Sequence, residues 1–297
     1  MADRGTVGLV GLGLVGTALA RRLLDAGFSV VGTDIDAGAR ARLEAMGGRA
    51  AGSAAAVAAQ CERVLVAVFD TGQVEDVLTG PGGVAAAVAA TGPKLALVAS
   101  TCDPDRIARL AERVAPLGVD LLETPLSGTS AQVASGEAVA FVGGDERTMA
   151  GSADILAAIV KDRHFMGPAG AGGRTKLAVN LILGLNRAAL AEGLVYAERM
   201  GLDPARFLEV ARESAAWSQV MDVKGAKMVA GDFSAQGRIV QSLKDFTLIL
   251  ESAAAAGQTL PLAGAYEKLM RGSIAHGEGD LDNSAIINAI RRAASGG

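Results

Sequence analysis

Apolar residues follow two regimes along the chain. In the first half, short apolar runs bounded by Gly, Pro, Asp or Ser alternate with stretches of helical periodicity; in the second half only the helical period persists. Bounded runs read as buried strands and the longer stretches as helices. This predicts strands at Thr6–Val10, Phe28–Thr33, Arg63–Phe69, Leu95–Ala99, Val119–Glu123 and Ala138–Gly144, with a last short one at Phe165-Met166. Helices are expected over Thr17–Ala26, from near Ala37, about Gly72–Leu78, Pro104–Ala115 and Glu146–Val160. Asp103 at a cap position with Pro104 just inside it is a helix-start signal. Such alternation predicts an α/β fold with a mostly parallel sheet. After Gly170 the strands stop. One long helix is expected from about 172 to 200, then one starting at Pro204 after Asp203, and others near Ser218–Val229, Val240–Ala256, Pro261–His276 and Asn283–Ala294.

Two segments add chemistry. The strand Thr6–Val10 leads at once into Gly11-Leu12-Gly13-Leu14-Val15-Gly16 and a helix. A GxGxxG run is weak evidence alone, but here it occupies the required strand-to-helix position. Gly11 allows the tight turn, Gly13 admits a pyrophosphate close to the backbone, and Gly16 lets helix and strand pack. The helix N-terminus then holds the phosphates. The second strand ends in Asp34, eighteen residues after Gly16, close to the spacing of roughly twenty expected for an acid on the adenosine ribose. Asp34 also fits a cap for the helix near Ala37. A carboxylate there would repel the extra phosphate of NADP, and Ile35 and Asp36 supply no arginine, although Arg40 and Arg42 follow. NAD is the expected cofactor, with NADP second. The fold expectation sharpens to a Rossmann-type doubly wound sheet followed by an all-α C-terminal domain, divided as 1–166 and 167–297 with the long helix spanning both. Ligands of such sheets lie beyond the carboxyl ends of the strands, which puts Val68, Phe69 and Thr101 near the cofactor, unless these are ordinary strand-end loops.

The other segment is Gly167 to Asn180. Small residues run into a helix that carries Lys176 and, one turn on, Asn180, on the same face. Unpaired N–H groups and the dipole at the helix start disfavour an ammonium, so Lys176 is expected to deprotonate more easily, as a lysine that exchanges protons near neutral pH requires. A Gly-rich linker with a solvated lysine is the plainer reading. Against it, the following run Leu177–Leu185 is too apolar for a free surface. The turn Ser127-Gly128-Thr129 offers a hydroxyl and backbone N–H groups able to hold a carboxylate, or is a plain turn.

Composition narrows the class. A net charge of -4 across 297 residues, with no basic stripe, argues against nucleic acid as a partner. No uninterrupted apolar run reaches membrane length, and Met1-Ala2-Asp3-Arg4 leads straight into a strand rather than a signal segment. Two cysteines make no disulfide framework, and with His164 and His276 the only histidines no metal site is expected. A cytoplasmic protein is expected, with its Ala-rich helical domain burying surface against another copy.

Three blocks together resemble the β-hydroxyacid dehydrogenase family, which includes 3-hydroxyisobutyrate dehydrogenase and tartronate semialdehyde reductase, and the resemblance covers the whole chain in order and spacing. They are the Gly11–Gly16 fingerprint, the segment Glu123-Thr124-Pro125-Leu126-Ser127-Gly128 through Gly136, and Gly167–Asn180; Lys244-Asp245 matches a fourth conserved pair. The resemblance implies oxidation of a small carboxylate-bearing 3-hydroxy acid, or reduction of the corresponding semialdehyde. It implies Lys176 as general acid/base, Asn180 and Ser127–Gly128–Thr129 as substrate contacts, Thr101 at the cofactor, and Lys244 at the cofactor and the substrate. The sequence departs from the family at Thr129, where a second glycine is usual, at Val68-Phe69, where Leu-Pro is usual, and at Gly237, next to Arg238, where a phenylalanine is usual. Arg238 could pair with a second polar group of the substrate, and Trp217 could line the same cleft or be packed. Alternatives are an imine reductase-like enzyme on the same scaffold, against which the Lys176/Asn180 pair argues, and a non-catalytic dinucleotide sensor.

Overall fold

The computed structural model of the protein describes residues 4–293; Met1–Asp3 and Ala294, the expected end of the last helix, lie outside them. By internal contacts the chain forms two compact units, 1–176 and 177–297.

In the first unit the elements run β1 (Thr6–Val10), α1 (Leu14–Asp25), β2 (Ser29–Thr33), α2 (Ala37–Ala45), β3 (Arg49–Ala50), α3 (Ala54–Ala58), β4 (Arg63–Val66), α4 (Thr71–Thr79), α5 (Ala85–Thr91), β5 (Lys94–Val98), α6 (Pro104–Val114), β6 (Val119–Glu123), β7 (Leu126–Ser127), α7 (Ser130–Ser135), β8 (Val139–Gly143), α8 (Glu146–Gly151), α9 (Ala153–Ile159) and β9 (Asp162–Gly167). The sheet order is β3-β2-β1-β4-β5-β6-β8-β7, with β9 beside β8. The first six strands are parallel, β8 is antiparallel to β6 and β7, and β9 is parallel to β8. Strand order reverses between β1 and β4, which opens the crevice where doubly wound sheets bind their ligands.

Side chains alternate across a strand, and the two faces carry two cores. Val7, Leu9, Leu65, Leu97, Leu122 and Val142 face Leu19 and Leu23 of α1 and Ile155 of α9. Val10, Val64, Val66, Ala96 and Val98 face Val57, Val74, Ile107 and Leu110 of α3, α4 and α6. Burial on both faces is why these strands read as continuous apolar runs.

The second unit is helical. The helix α10 (Ala171–Arg199) runs into it and is followed by α11 (Pro204–Arg212), α12 (Ala226–Ala230), α13 (Ile239–Ala255), α14 (Pro261–Ala275) and α15 (Ile286–Ala293). Its core includes Leu190, Leu194, Met228, Phe246, Tyr266 and Ile286. A Cβ at Gly184 would overlap the Phe246 ring, so the glycine lets α10 and α13 approach closely.

Several boundaries differ from the periodic reading. Strand β4 stops at Val66, and Phe69 turns into a loop where its N–H donates to Gln73 Oε1 at 2.9 Å. The helix expected over 146–160 breaks at Ser152, whose hydroxyl donates to the Thr148 carbonyl at 2.9 Å. β9 begins at Asp162 rather than Phe165; it is an exposed edge strand with no buried face to imprint an alternation. A turn of π-helix occupies Met221–Gly225, inside the segment read as one helix. α10 is long and apolar enough to cross a membrane by length and composition, with mean hydropathy 1.3 in its most apolar window, although Arg174, Lys176, Asn180 and Arg187 interrupt its apolar run. That helix also carries Lys176, Asn180 and Arg187 as buried polar residues, which suits a core helix.

Candidate active site

The glycine loop fits a dinucleotide. Gly11 has φ +94°, and a Cβ there would lie 2.5 Å from the Ala67 carbonyl oxygen, so only glycine makes this turn. A Cβ at Gly16 would overlap the Gly11 carbonyl. Gly13 is the opposite case: nothing lies within 4 Å of the position its Cβ would take. It caps α1 with no side chain on the first N–H groups. An open approach, uncapped donors and the positive end of α1 make an anion cradle. Leu12, Leu14 and Val15 complete the loop; Leu14 is exposed, while Leu12 is packed in the core.

Asp34 stands at the carboxyl end of β2 and accepts from the Leu12 N–H at 2.6 Å (Oδ2) and the Asp36 N–H at 2.9 Å (Oδ1). It does not cap α2; Asp36 does, accepting from the Gly38 N–H at 2.8 Å. The Arg40 guanidinium donates to the backbone carbonyls of Asp34 and Ile35, and Arg42 lies 3.5 Å from Asp36. Both nearby arginines are therefore engaged. Val68 packs against the Gly11 turn, its Cγ1 3.1 Å from where a Gly11 Cβ would be, and its carbonyl accepts from Ser100 at 2.8 Å. Phe69 is exposed, and Thr101 follows β5 at the same carboxyl edge of the sheet.

Ser127 ends β7 and Gly128 turns the chain with φ +150°. The Thr129 N–H, expected to be exposed, instead donates to Gln132 Oε1 at 2.9 Å, while the Thr129 hydroxyl accepts from the Gln132 N–H at 3.2 Å. This capping box starts α7. Threonine in place of glycine thus serves the helix that follows the turn.

Lys176 is 6% exposed and Asn180 9%. In the second unit Asn180 Nδ2 donates to Asp245 Oδ2 at 2.8 Å, and Lys244 Nζ lies 3.1 Å from Asp245 Oδ1. One carboxylate therefore links Asn180 and Lys244. Asn180 Oδ1 is buried with no hydrogen-bond partner among the described residues. Arg238 precedes α13, with its N–H on Gln241 Oε1 at 3.2 Å and its guanidinium 3.4 Å from Asp280. Trp217 is half exposed, not packed, and donates from Nε1 to Asp222 at 3.0 Å.

Two acids given no role in the sequence reading hold parts of this arrangement. Asp245 is one, and its adjacency to Lys244 was the available signal. Glu123 is the other. Only 3% exposed at the end of β6, it accepts from the Gly170 N–H at 2.5 Å. Burial pushes its carboxyl up to about 7, against the pull of the Gly170, Gly173 and Gly172 N–H groups and of Arg174. An acid closing a buried strand was visible in the sequence; its target some 47 residues on was not.

A glycine cradle at the switch point, an acid closing β2 and a helical second unit define a nicotinamide-dinucleotide oxidoreductase. Residues 6–167 match the family described as the NAD binding domain of 6-phosphogluconate dehydrogenase, and residues 170–290 the NAD-binding of NADP-dependent 3-hydroxyisobutyrate dehydrogenase. The chain is 32% identical over 282 residues to an L-threonate dehydrogenase of Cupriavidus necator, covering 95% of this chain and 94% of that one. It is 31% identical to a 2-hydroxy-3-oxopropionate reductase of Escherichia coli, covering 96% of each. A 3-hydroxyisobutyrate dehydrogenase structure from Salmonella typhimurium superposes with TM-score 0.86 at 29% identity, covering 95% of this chain and 99% of that one. The chain belongs to the β-hydroxyacid dehydrogenase family and is an NAD(P)-dependent 3-hydroxyacid dehydrogenase.

Proposed function

We propose that this protein oxidises a small 3-hydroxy acid, or reduces the matching semialdehyde, with Lys176 as general acid/base and NAD as the preferred cofactor. The observation that carries the reading is the half-satisfied amide of Asn180. Its Nδ2 is fixed by Asp245 while its Oδ1 is buried without a partner, one helical turn beyond Lys176. A buried acceptor without a partner is costly, and a substrate hydroxyl would satisfy it. The bound nicotinamide supplies the hydride acceptor. Lys176 takes the hydroxyl proton as the carbinol C–H bond gives up its hydride. In the reverse direction Lys176 returns that proton to the forming alkoxide. Ser127, Gly128 and Thr129 are the proposed contacts of the substrate carboxylate; with the Thr129 N–H held by Gln132, its share falls to the Ser127 hydroxyl and the Gly128 N–H. Lys244 is proposed to reach both substrate and cofactor, and Val68, Phe69 and Thr101 to contact the cofactor.

The NAD preference rests on Asp34, held by two backbone donors, and on the engagement of Arg40 and Arg42. The functional division proposed is 1–166 for the dinucleotide and 167–297 for substrate and self-association. Exposed Ile182, Tyr196, Val210 and Leu262 support a homo-oligomer through the helical unit. The buried thiols of Cys61 and Cys102 suit a reducing compartment and a cytoplasmic location.

The test is NADH formation from NAD across a panel of 3-hydroxy acids that includes L-threonate, 3-hydroxyisobutyrate and D-glycerate, with wild type and Lys176→Ala side by side. Turnover of at least one by the wild type, lost in the variant with NAD binding retained, supports the reading. Equal activity of the two proteins overturns it.

A further inference from the structure

We propose that Glu123 is the positioning residue for Lys176: its carboxyl group clamps the first turn of α10 to the sheet and so fixes the lysine that the turn carries. The proposal rests on the reading of Lys176 as the acid/base.

The clamp is built from several independent features. Glu123 Oε2 accepts from the Gly170 N–H at 2.5 Å, and the N–H groups of Gly172 and Gly173 also point at the carboxyl. These belong to the unpaired donors that every helix start must satisfy. Three glycines make the space. A Cβ at Gly173 would lie 2.9 Å from Glu123 Oε1, a Cβ at Gly143 on β8 would overlap Oε2, and one at Gly172 would lie 2.5 Å from the Phe141 carbonyl. The sheet edge and helix start therefore meet backbone to backbone, with the Glu123 carboxyl group set between them. Lys176 lies three residues past Gly173, about 4.5 Å further along the axis. A shift of the first turn is a shift of the lysine.

The charged surroundings are sparse. On α10 there is Arg174, paired with Asp105 of α6 at 2.6 Å. α6 also carries Arg106, paired with Glu75 at 2.7 Å, and is capped by Asp103. α8, packed on β6, brings Asp145, Glu146 and Arg147, of which Asp145 shares a surface depression with Asp120 and Leu121. β5 and β8 present Val98, Phe141 and Gly143, which do not titrate. With its carboxyl near neutrality, Glu123 changes charge within the working pH range. Because burial raises its value in the clamped state above the ordinary 4.5, the proton favours that state, and the clamp loosens as pH rises through about 7.

This separates the two groups in the oxidative direction. Lys176 must start neutral there, so rising pH costs it nothing. A falling limb above pH about 7 belongs to Glu123. The experiment follows oxidation by NAD of the 3-hydroxy acid that wild type turns over fastest, from pH 5.5 to 9, in wild type, Glu123→Gln, Glu123→Ala, Glu123→Asp and Lys176→Ala. Alongside it, amide hydrogen exchange over 170–180, corrected for intrinsic rates, is measured at pH 6 and 8. Glu123→Ala, which removes the acceptor, is expected to lower kcat by between about tenfold and a hundredfold, the scale of a displaced catalytic group, with NAD affinity unchanged, whereas Glu123→Gln, neutral at every pH, keeps most of kcat and loses the falling limb. Glu123→Asp is expected to restore part of kcat and keep a limb at a shifted pH. Protection over 170–176 should fall from pH 6 to 8 in wild type and be flat in Glu123→Gln. Superimposable pH profiles, or pH-independent protection in wild type, overturn the clamp. If Glu123→Gln does not fold, the Glu123→Asp profile and the wild-type exchange decide. Full activity of Lys176→Ala would instead refute the acid/base reading, and the exchange result would still judge the clamp.

Discussion

The Leu12 N–H donates to Asp34 Oδ2 at 2.6 Å, tying the glycine loop after β1 to the acid that closes β2. The loop's shape therefore rests on the carboxylate that is proposed to recognise the ribose. Asp34→Ala should remove both the tie and the repulsion of an extra phosphate. A hydrogen bond to a charged group is worth about 1.5–3 kcal/mol, so kcat/KM with NAD should fall by roughly tenfold to a hundredfold, and with NADP by less. Steady-state kinetics with the two cofactors measure the ratio; an unchanged ratio would remove Asp34 from cofactor selection.

Lys176 should show the kinetics of a proton-transfer group. Its removal is expected to lower kcat by about a hundred- to ten-thousandfold. Dissociation constants for NADH, from fluorescence titration, should stay within about twofold, since proton transfer adds nothing to ground-state binding. A loss seen only in KM would mean that the lysine binds and does not catalyse.

Asp245 predicts a different split. It holds Asn180 Nδ2 at 2.8 Å and Lys244 at 3.1 Å. Asp245→Ala leaves a buried amide donor unpaired, a cost of about 1–3 kcal/mol, and frees the Asn180 side chain to turn. The KM for the hydroxy acid should rise about tenfold, with NAD affinity retained and kcat less affected. A KM equal to wild type would show that Asn180 is oriented without its carboxylate partner.

What the sequence made legible follows the range of the forces involved. The Gly11–Gly16 loop, the parallel strands and the helix starts at Pro104 and Pro204 are set by neighbours along the chain, and the structure has all of them. The two-residue strands β3 and β7 and the exposed β9 have no periodic apolar face, so nothing local marks them. The features that escaped are long-range pairings of buried polar groups, in the site and in the helical unit's core. Glu123 with Gly170, Asp245 with Asn180 and Lys224 with Asp282 are separated by 47, 65 and 58 residues. Each acid was visible, but its partner depends on the packing of whole elements. The Thr129 departure was legible as a substitution, whereas its capping box with Gln132 became clear only once α7 existed as a helix.

The second unit has a buried ion pair of its own. Lys224 Nζ lies 2.8 Å from both Asp282 oxygens, with side chains 4% and 0% exposed. Asp282 also accepts from the N–H groups of Gln236 and Ser284. Burial pushes the Asp282 carboxyl up, but the Lys224 ammonium and these donors outweigh it and hold it below the ordinary 3.8. A carboxyl lowered by folding stabilises the native state above its unfolded value and loses that contribution as pH falls through the folded one. This unit should therefore weaken below pH about 4. Asp282→Ala strands the ammonium in the core and should cost about 3–5 kcal/mol. Lys224→Met combined with Asp282→Leu should cost much less. Urea unfolding of the three proteins at pH 7 makes the comparison, and equal losses for the single and double variants would show that the pair is not what the site depends on.

Glu123 carries the opposite sign. Its folded value of about 7 stands above the ordinary 4.5, so the native state holds a proton that the unfolded chain releases between those values. The contribution is fully present below pH 4.5 and is lost as pH rises through 7. The shift corresponds to about 3 kcal/mol at most. Native stability of the wild type should therefore fall between pH 5 and 8 relative to Glu123→Gln, whose amide does not titrate. Urea midpoints of the two proteins across that range supply the test, together with calorimetric unfolding at pH 6 in buffers of different ionisation enthalpy. The wild type should release close to one more proton on unfolding than the variant. Parallel stability curves and equal proton release would mean that Glu123 titrates as an ordinary carboxylate, and that its burial at the start of α10 does not perturb it.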